Sequence, residues 1–186
     1  MKVSHFLLAS LLVLLLSACG GTDLALINQV KSFEPNWMNL GDQVSFLDRN
    51  LRLAQRNYSE DFEEVDPLIS HPATVQRNRL HGLRSQYMNV MIRRDSLASE
   101  FQKEKKRFIS EINSFNEWES RLMQDKISNR DAHEQLLAFQ ESLGEMEETF
   151  DDLQNEVIRN IEEHNSIFRR LSTSLRLYSN FDVHPR

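Results

Sequence analysis

Three polar residues fall where a helical chain would place apolar ones. Asn160 and His164 interrupt a run of apolar residues spaced by three and four, and Arg94 interrupts a second such run. If the two runs lie antiparallel, all three meet in one buried layer. A histidine beside a guanidinium and an amide suits a small-anion site, or a proton sensor working between pH 5 and 8. A plainer use fits the same residues more economically: a polar layer that fixes the register of packed helices. Metal chemistry finds less support. A di-iron bundle needs Glu-x-x-His on two helices, but Ile161 stands three residues before His164 and Arg130 three before His133. His133-Glu134 opens a zincin-like string whose second histidine position holds Leu137. The acidic cluster Glu145, Glu147, Glu148, Asp151 and Asp152 lacks the glycine turn and the ligand spacing of a calcium loop, and reads as a solvated, ion-paired helix face. The sequence also carries no glycine-rich phosphate loop and no Gly-x-Ser-x-Gly elbow. No metal, no cofactor and no catalytic residue is therefore expected, and the chain reads as non-enzymatic.

The other reactive side chain is Cys19, the single cysteine. It closes a segment with the parts of an export signal: Lys2, an apolar run from Phe6 to Leu16, then the small residues Ser17 and Ala18. The apolar run is short of the roughly 20 residues that a spanning helix needs. Leu16-Ser17-Ala18-Cys19 resembles the lipobox of bacterial lipoproteins, and the resemblance covers these nineteen residues and no others. It implies that the Cys19 thiol takes a diacylglycerol, that residues 1–18 are removed, and that the new terminus gains a further fatty chain such as palmitate. At ~0.8 kcal/mol per buried methylene, two or three such chains hold a protein on a membrane. Lipidation would also explain an unpaired cysteine in an exported chain. Gly20 stands where an aspartate favours inner-membrane retention in such lipoproteins, which implies an outer-membrane anchor facing the periplasm.

The body that follows must position whatever the chain does. Five glycines and four prolines are few for 186 residues, as in chains built of long helices. Residues 22–33 suit a short helix capped by Thr22, or a disordered tether. Pro35 marks the start of a helix of about thirty residues, with Trp37, Leu40, Val44, Leu47, Leu51, Ala54 and Tyr58 on one stripe. Asp66 to Pro72 reads as a connection. A second helix from about Pro72 carries Leu80, Leu83, Tyr87, Val90, Leu97, Phe101, Phe108, Phe115, Trp118 and Leu122. Ser128 to Asp131 resembles a capping box opening a third helix, striped by Leu136, Phe139, Leu143, Met146, Phe150, Leu153, Val157, Ile167 and Leu171.

The expected fold is all-α: an elongated antiparallel helical hairpin, coiled-coil-like, with a shorter helix packed on one end. Its parts would be a signal peptide at 1–18, a lipid-anchored tether or short helix at 19–33, a helical body at 34–180 and a tail at 181–186. Charge supports the hairpin. Residues 71–110 hold nine basic against three acidic residues, and residues 111–164 hold fifteen acidic against four basic. Folding about residue 127 pairs positions whose numbers sum to about 255, which sets Lys103 to Arg107 against Glu147 to Asp152 and Asp61, Glu63, Glu64 and Asp66 near Arg77, Arg79 and Arg176. A first helix that short would leave the hairpin tip as two helices only, exposing Phe108, Ile112, Phe115, Trp118, Leu122 and Phe139 to a partner. Lys103 to Arg107, flanked by Phe101 and Phe108, is no nucleic-acid patch, since export removes Lys2 and makes the net charge of −6 more negative still. Together these features point to a membrane-tethered helical lipoprotein that binds or spaces another envelope component. The partner would be an envelope protein or a second copy of the chain. The alternative is a small-ligand or pH-sensing bundle that uses Arg94, Asn160 and His164.

Overall fold

A computed structural model describes residues 23–69 and 78–179. It contains three helices, α1 (Leu24–Ile69), α2 (Asn78–Met123) and α3 (Asn129–Ser179), with no strand among the described residues. The chain is all-α. The signal segment, Cys19, Thr22, Pro72 and the 181–186 tail lie outside the described residues, as do the side chains of Arg77, Arg79 and Arg176.

The first helix differs most from expectation. It is not a thirty-residue helix preceded by a tether: α1 runs 46 residues without a break, matching α2 and approaching the 51 of α3. Asp23 caps it, its Oδ1 accepting the Ala25 amide at 2.9 Å. Pro35 therefore sits inside a helix, where it deprives the Lys31 carbonyl of its usual donor and crowds the preceding turn. Packing overrides that cost. Leu26, Val30, Phe33 and Trp37, the turns on either side of the proline, are all buried, and full burial of each such side chain contributes about 1.5–3 kcal/mol. Pro67 likewise lies within the last turns of α1 instead of opening a connection.

The turn between α2 and α3 follows from local chemistry. The Asp125 amide donates to the Leu122 carbonyl and the Lys126 amide to the Arg121 carbonyl, the paired bonds of a Schellman stop. Asp125 takes the left-handed conformation this stop requires (φ 53°). Ser128 then caps α3 as expected, its Oγ accepting the Asp131 amide at 3.2 Å.

The described residues divide into two compact units. One joins the start of α1 as far as Met38 with Ser110–Gly144, and the other joins Asn39–Ile109 with the part of α3 beginning at Glu145. Within each, α2 runs antiparallel to α3 and α1 runs parallel to α3. In the first unit the Asp23 amide meets Asn129 Oδ1, so both helices begin together. In the second, Gln43 pairs with Asp151 and Tyr58 with Asn160. The expected hairpin register is close: Arg107 bonds Glu145 at 2.7 Å, and Arg93 pairs with Glu156. The basic run is shared differently, however. Lys105 reaches Asp48 on α1 at 3.2 Å, and Lys103 pairs with its neighbour Glu104. Burial alone would raise the pKa of Asp48, but Lys105 and Arg52 outweigh it and hold that carboxyl below its ordinary value. Asp66 pairs with Arg84 at 2.7 Å.

Candidate functional site

The core of the second unit is an apolar cluster that includes Leu80, Leu83, Val90, Ile167 and Leu171. Three of its neighbours are the expected polar residues: Arg94, Asn160 and His164 are all buried, at 6%, 2% and 1% exposure. They reach one another through two tyrosines. Tyr58 on α1 donates to Asn160 Oδ1 at 2.9 Å, and Asn160 Nδ2 donates to the Val90 carbonyl at 3.1 Å. Tyr87 on α2 donates its hydroxyl proton to the Tyr58 carbonyl at 3.0 Å. A carbonyl can only accept, so that proton is committed, and His164 Nε2, 2.9 Å from the same oxygen, must be the N–H that donates to it. Asp61 Oδ2, 3.4 Å from Nε2, suits a donor there too. Nδ1 lies 3.4 Å from Asn165 Oδ1.

Ring packing holds the imidazole between layers. Tyr58 stacks on it with centroids 3.6 Å apart and planes 4° from parallel, and Phe168 lies parallel to it at 6.1 Å. Burial lowers the pKa of His164; the Asn165 contact opposes this and the Arg94 charge reinforces it. The ring is thus neutral under ordinary conditions. Burial pushes both tyrosine hydroxyls above their usual range. It also raises the Asp61 carboxyl, helped by the charges of Glu64 and Glu60.

A pocket of about 220 Å³ opens beside this layer, between α1 and α3. It is lined by Tyr58, Asp61 and His164, by the apolar Leu53, Ala54 and Ile161, and by the amides Asn50, Asn57 and Asn165. The small-anion reading would need the Arg94 charge at this opening. Arg94 does not line the opening: its guanidinium lies on Asp95 at 2.6 Å, on the Gln55 carbonyl at 3.4 Å, and 5.4 Å over the Tyr58 ring. The charged residues that do line it are Glu60 and Asp61.

The aromatic tip is not bare, which corrects the second expectation. Because α1 starts at Leu24, it supplies a third helix there. Phe33 and Trp37 each lie 5.7 Å from Phe115, and Phe115, Trp118 and Leu122 are buried. Ile112 and Phe139 are half-buried, Phe139 lying 5.4 Å from both Phe115 and Trp118. Phe108 belongs to the other unit, where it is buried 6.5 Å from Phe150. What remains open in the first unit is a groove of about 500 Å³ along α2 and α3, with Trp118, Ala138 and Phe139 flanked by Glu111, Glu117, Arg121 and Gln135. Burial also raises the pKa of Glu119 in that unit; hydrogen bonding and repulsion from Glu34 add to it, against the pull of Lys31.

Sequence reasoning did not find Tyr58, Tyr87 and Asp61 as members of the polar layer. The stripe marks both tyrosines as core, but pairing α2 with α3 alone says nothing of which α1 residues arrive. Glu104, buried between Phe101 and Phe108, was equally legible by its spacing of three and four from them. Among the described residues, no group of three or more His, Cys, Asp or Glu is placed to hold a metal ion. Compared with protein-family models, with curated proteins and with solved structures, the chain gives no match.

Proposed function

We propose that this chain is a lipid-anchored helical module of the bacterial envelope that binds or spaces another envelope component and does no chemistry itself. The observation that carries this reading is Leu16-Ser17-Ala18-Cys19 at the end of a signal-length apolar run. Two features of the body are compatible with it. No described helix is long and apolar enough to cross a membrane. The described body is three long helices whose apolar stripes are buried against one another, which suits a spacer. Intact mass of the protein purified from membranes tests the anchor: the expected mature chain starts at Cys19 and carries added acyl mass. Cys19→Ser should lose that mass and remain uncleaved. An unmodified Cys19 in the membrane-derived protein refutes the anchor. Crosslinking in intact cells, followed by mass spectrometry of the captured partner, tests the binding role.

A second reading has its own support: Arg94, Asn160 and His164 come together as a layer that also holds Tyr58, Tyr87 and Asp61. On this reading the bundle senses protons or a small ligand through His164. Thermal unfolding of wild type and His164→Leu between pH 5 and 8 decides it, and identical pH profiles remove proton sensing.

A further inference from the structure

We infer, building on the polar-layer reading, that the pocket beside His164 binds a small primary alkylammonium ion, its ammonium at Asp61 and its stem along Leu53, Ala54 and Ile161. Charge is the first reason. Glu60 and Asp61 are the charged residues lining the pocket, and among the described residues the contact of the Asp61 carboxylate is the neutral His164 ring at 3.4 Å. A half-buried carboxylate facing only a neutral partner is poorly compensated, as the upward pull of burial, Glu64 and Glu60 on its pKa records. A bound cation supplies what is missing.

Shape is the second reason. An ammonium offers three donors and no acceptor. The pocket offers the Asp61 carboxylate, with Asn57 one turn before it on α1, while Leu53, Ala54 and Ile161 accept a methylene stem. An engineered cavity of about 150 Å³ holds benzene, so about 220 Å³ accommodates roughly six to eight non-hydrogen atoms. A simple alkylammonium of that size matches an acidic end joined to an apolar wall. A bare divalent cation does not, because no cluster of three ligating side chains is formed among the described residues.

The polar layer makes binding depend on pH. The groups around His164 are Tyr58, Asp61, Glu60 and Glu64 on α1, Tyr87 and Arg94 on α2, and Glu163 and Asn165 on α3. Protonating His164 places a positive charge beside the ammonium, and protonating Asp61 removes its counter-charge. Both weaken binding as pH falls, so affinity is greater at pH 7.5 than at pH 5.

The test uses the full chain in non-ionic detergent, with n-pentylammonium chloride as the probe. n-Pentanol and sodium chloride at equal ionic strength are the controls. Calorimetric titration gives Kd at pH 7.5, and at ten times that concentration Tm should rise by about 3–6 °C. Asp61→Asn should abolish the shift while keeping the fold, and Asn57→Leu should reduce it. No detectable binding of pentylammonium, an equal shift with pentanol, or an undiminished shift in Asp61→Asn overturns the ammonium site. The pH profile of unliganded His164→Leu is read separately, so loss of proton sensing and loss of cation binding are distinct results.

Discussion

At the scale of single residues, His164 shows how a buried polar group becomes a stability term. Its pKa in the folded chain lies below the ordinary value of about 6.5, because burial penalises the charged ring and Arg94 adds to the penalty. The unfolded chain therefore takes up a proton near pH 6.5, while the folded chain resists it. Stability falls wherever the unfolded state holds more protons as pH is lowered. The contribution is complete above pH 6.5 and is lost as pH drops from there toward the folded value. Asp61 acts with the opposite sign: its pKa is raised on folding, so taking up its proton favours the folded state at lower pH. Wild type should lose stability from pH 6.5 to 5, and His164→Leu should show a shallower profile. The difference is bounded by about 1.4 kcal/mol per pH unit, the limit for one proton. Denaturant midpoints at half-unit pH steps measure it.

At the scale of elements, Pro35 in the middle of α1 is the clearest conflict between local and global preference. A proline there removes one helical hydrogen bond and strains the turn before it, and from sequence alone that argues for a helix start. What extends the helix past it is the apolar stripe at Leu26, Val30, Phe33 and Trp37, which finds a surface only once α2 and α3 are in place. Such a gain is not local, so single-segment rules cannot weigh it. The same rules did locate the α2–α3 turn, the Ser128 cap and the antiparallel pairing of those helices, because each rests on neighbours in sequence or on one pairing sum. They placed Arg94, Asn160 and His164 together for that reason as well. Pro35 is exposed, so Pro35→Ala restores a backbone donor without disturbing packing. Part of the gain is offset by the greater freedom of the unfolded chain. The expected net effect is about 1–2 kcal/mol of added stability and a Tm higher by about 2–8 °C, read by circular dichroism at 222 nm.

At the scale of the whole molecule, charge and apolar burial have separate tasks. Blocks of opposite sign along the sequence favour one antiparallel register, and the observed pairs, Arg107 with Glu145, Arg93 with Glu156, Lys105 with Asp48 and Arg84 with Asp66, join helix to helix in that register. All four are at least partly open to solvent. Pairs of this kind contribute about 0–1 kcal/mol each and weaken as the Debye length shrinks from about 10 Å at 0.1 M salt to about 3 Å at 1 M. Burial of the apolar stripes is not screened, and it supplies most of the folding free energy. Raising sodium chloride from 0.05 to 0.5 M should therefore move Tm by no more than about 3 °C. Reversing Arg107 and Glu145 singly should cost more than reversing both together, since the double exchange restores an attractive pair in the same register. A collapse of Tm at high salt would mean that the ion pairs, and not the buried stripes, hold the helices together.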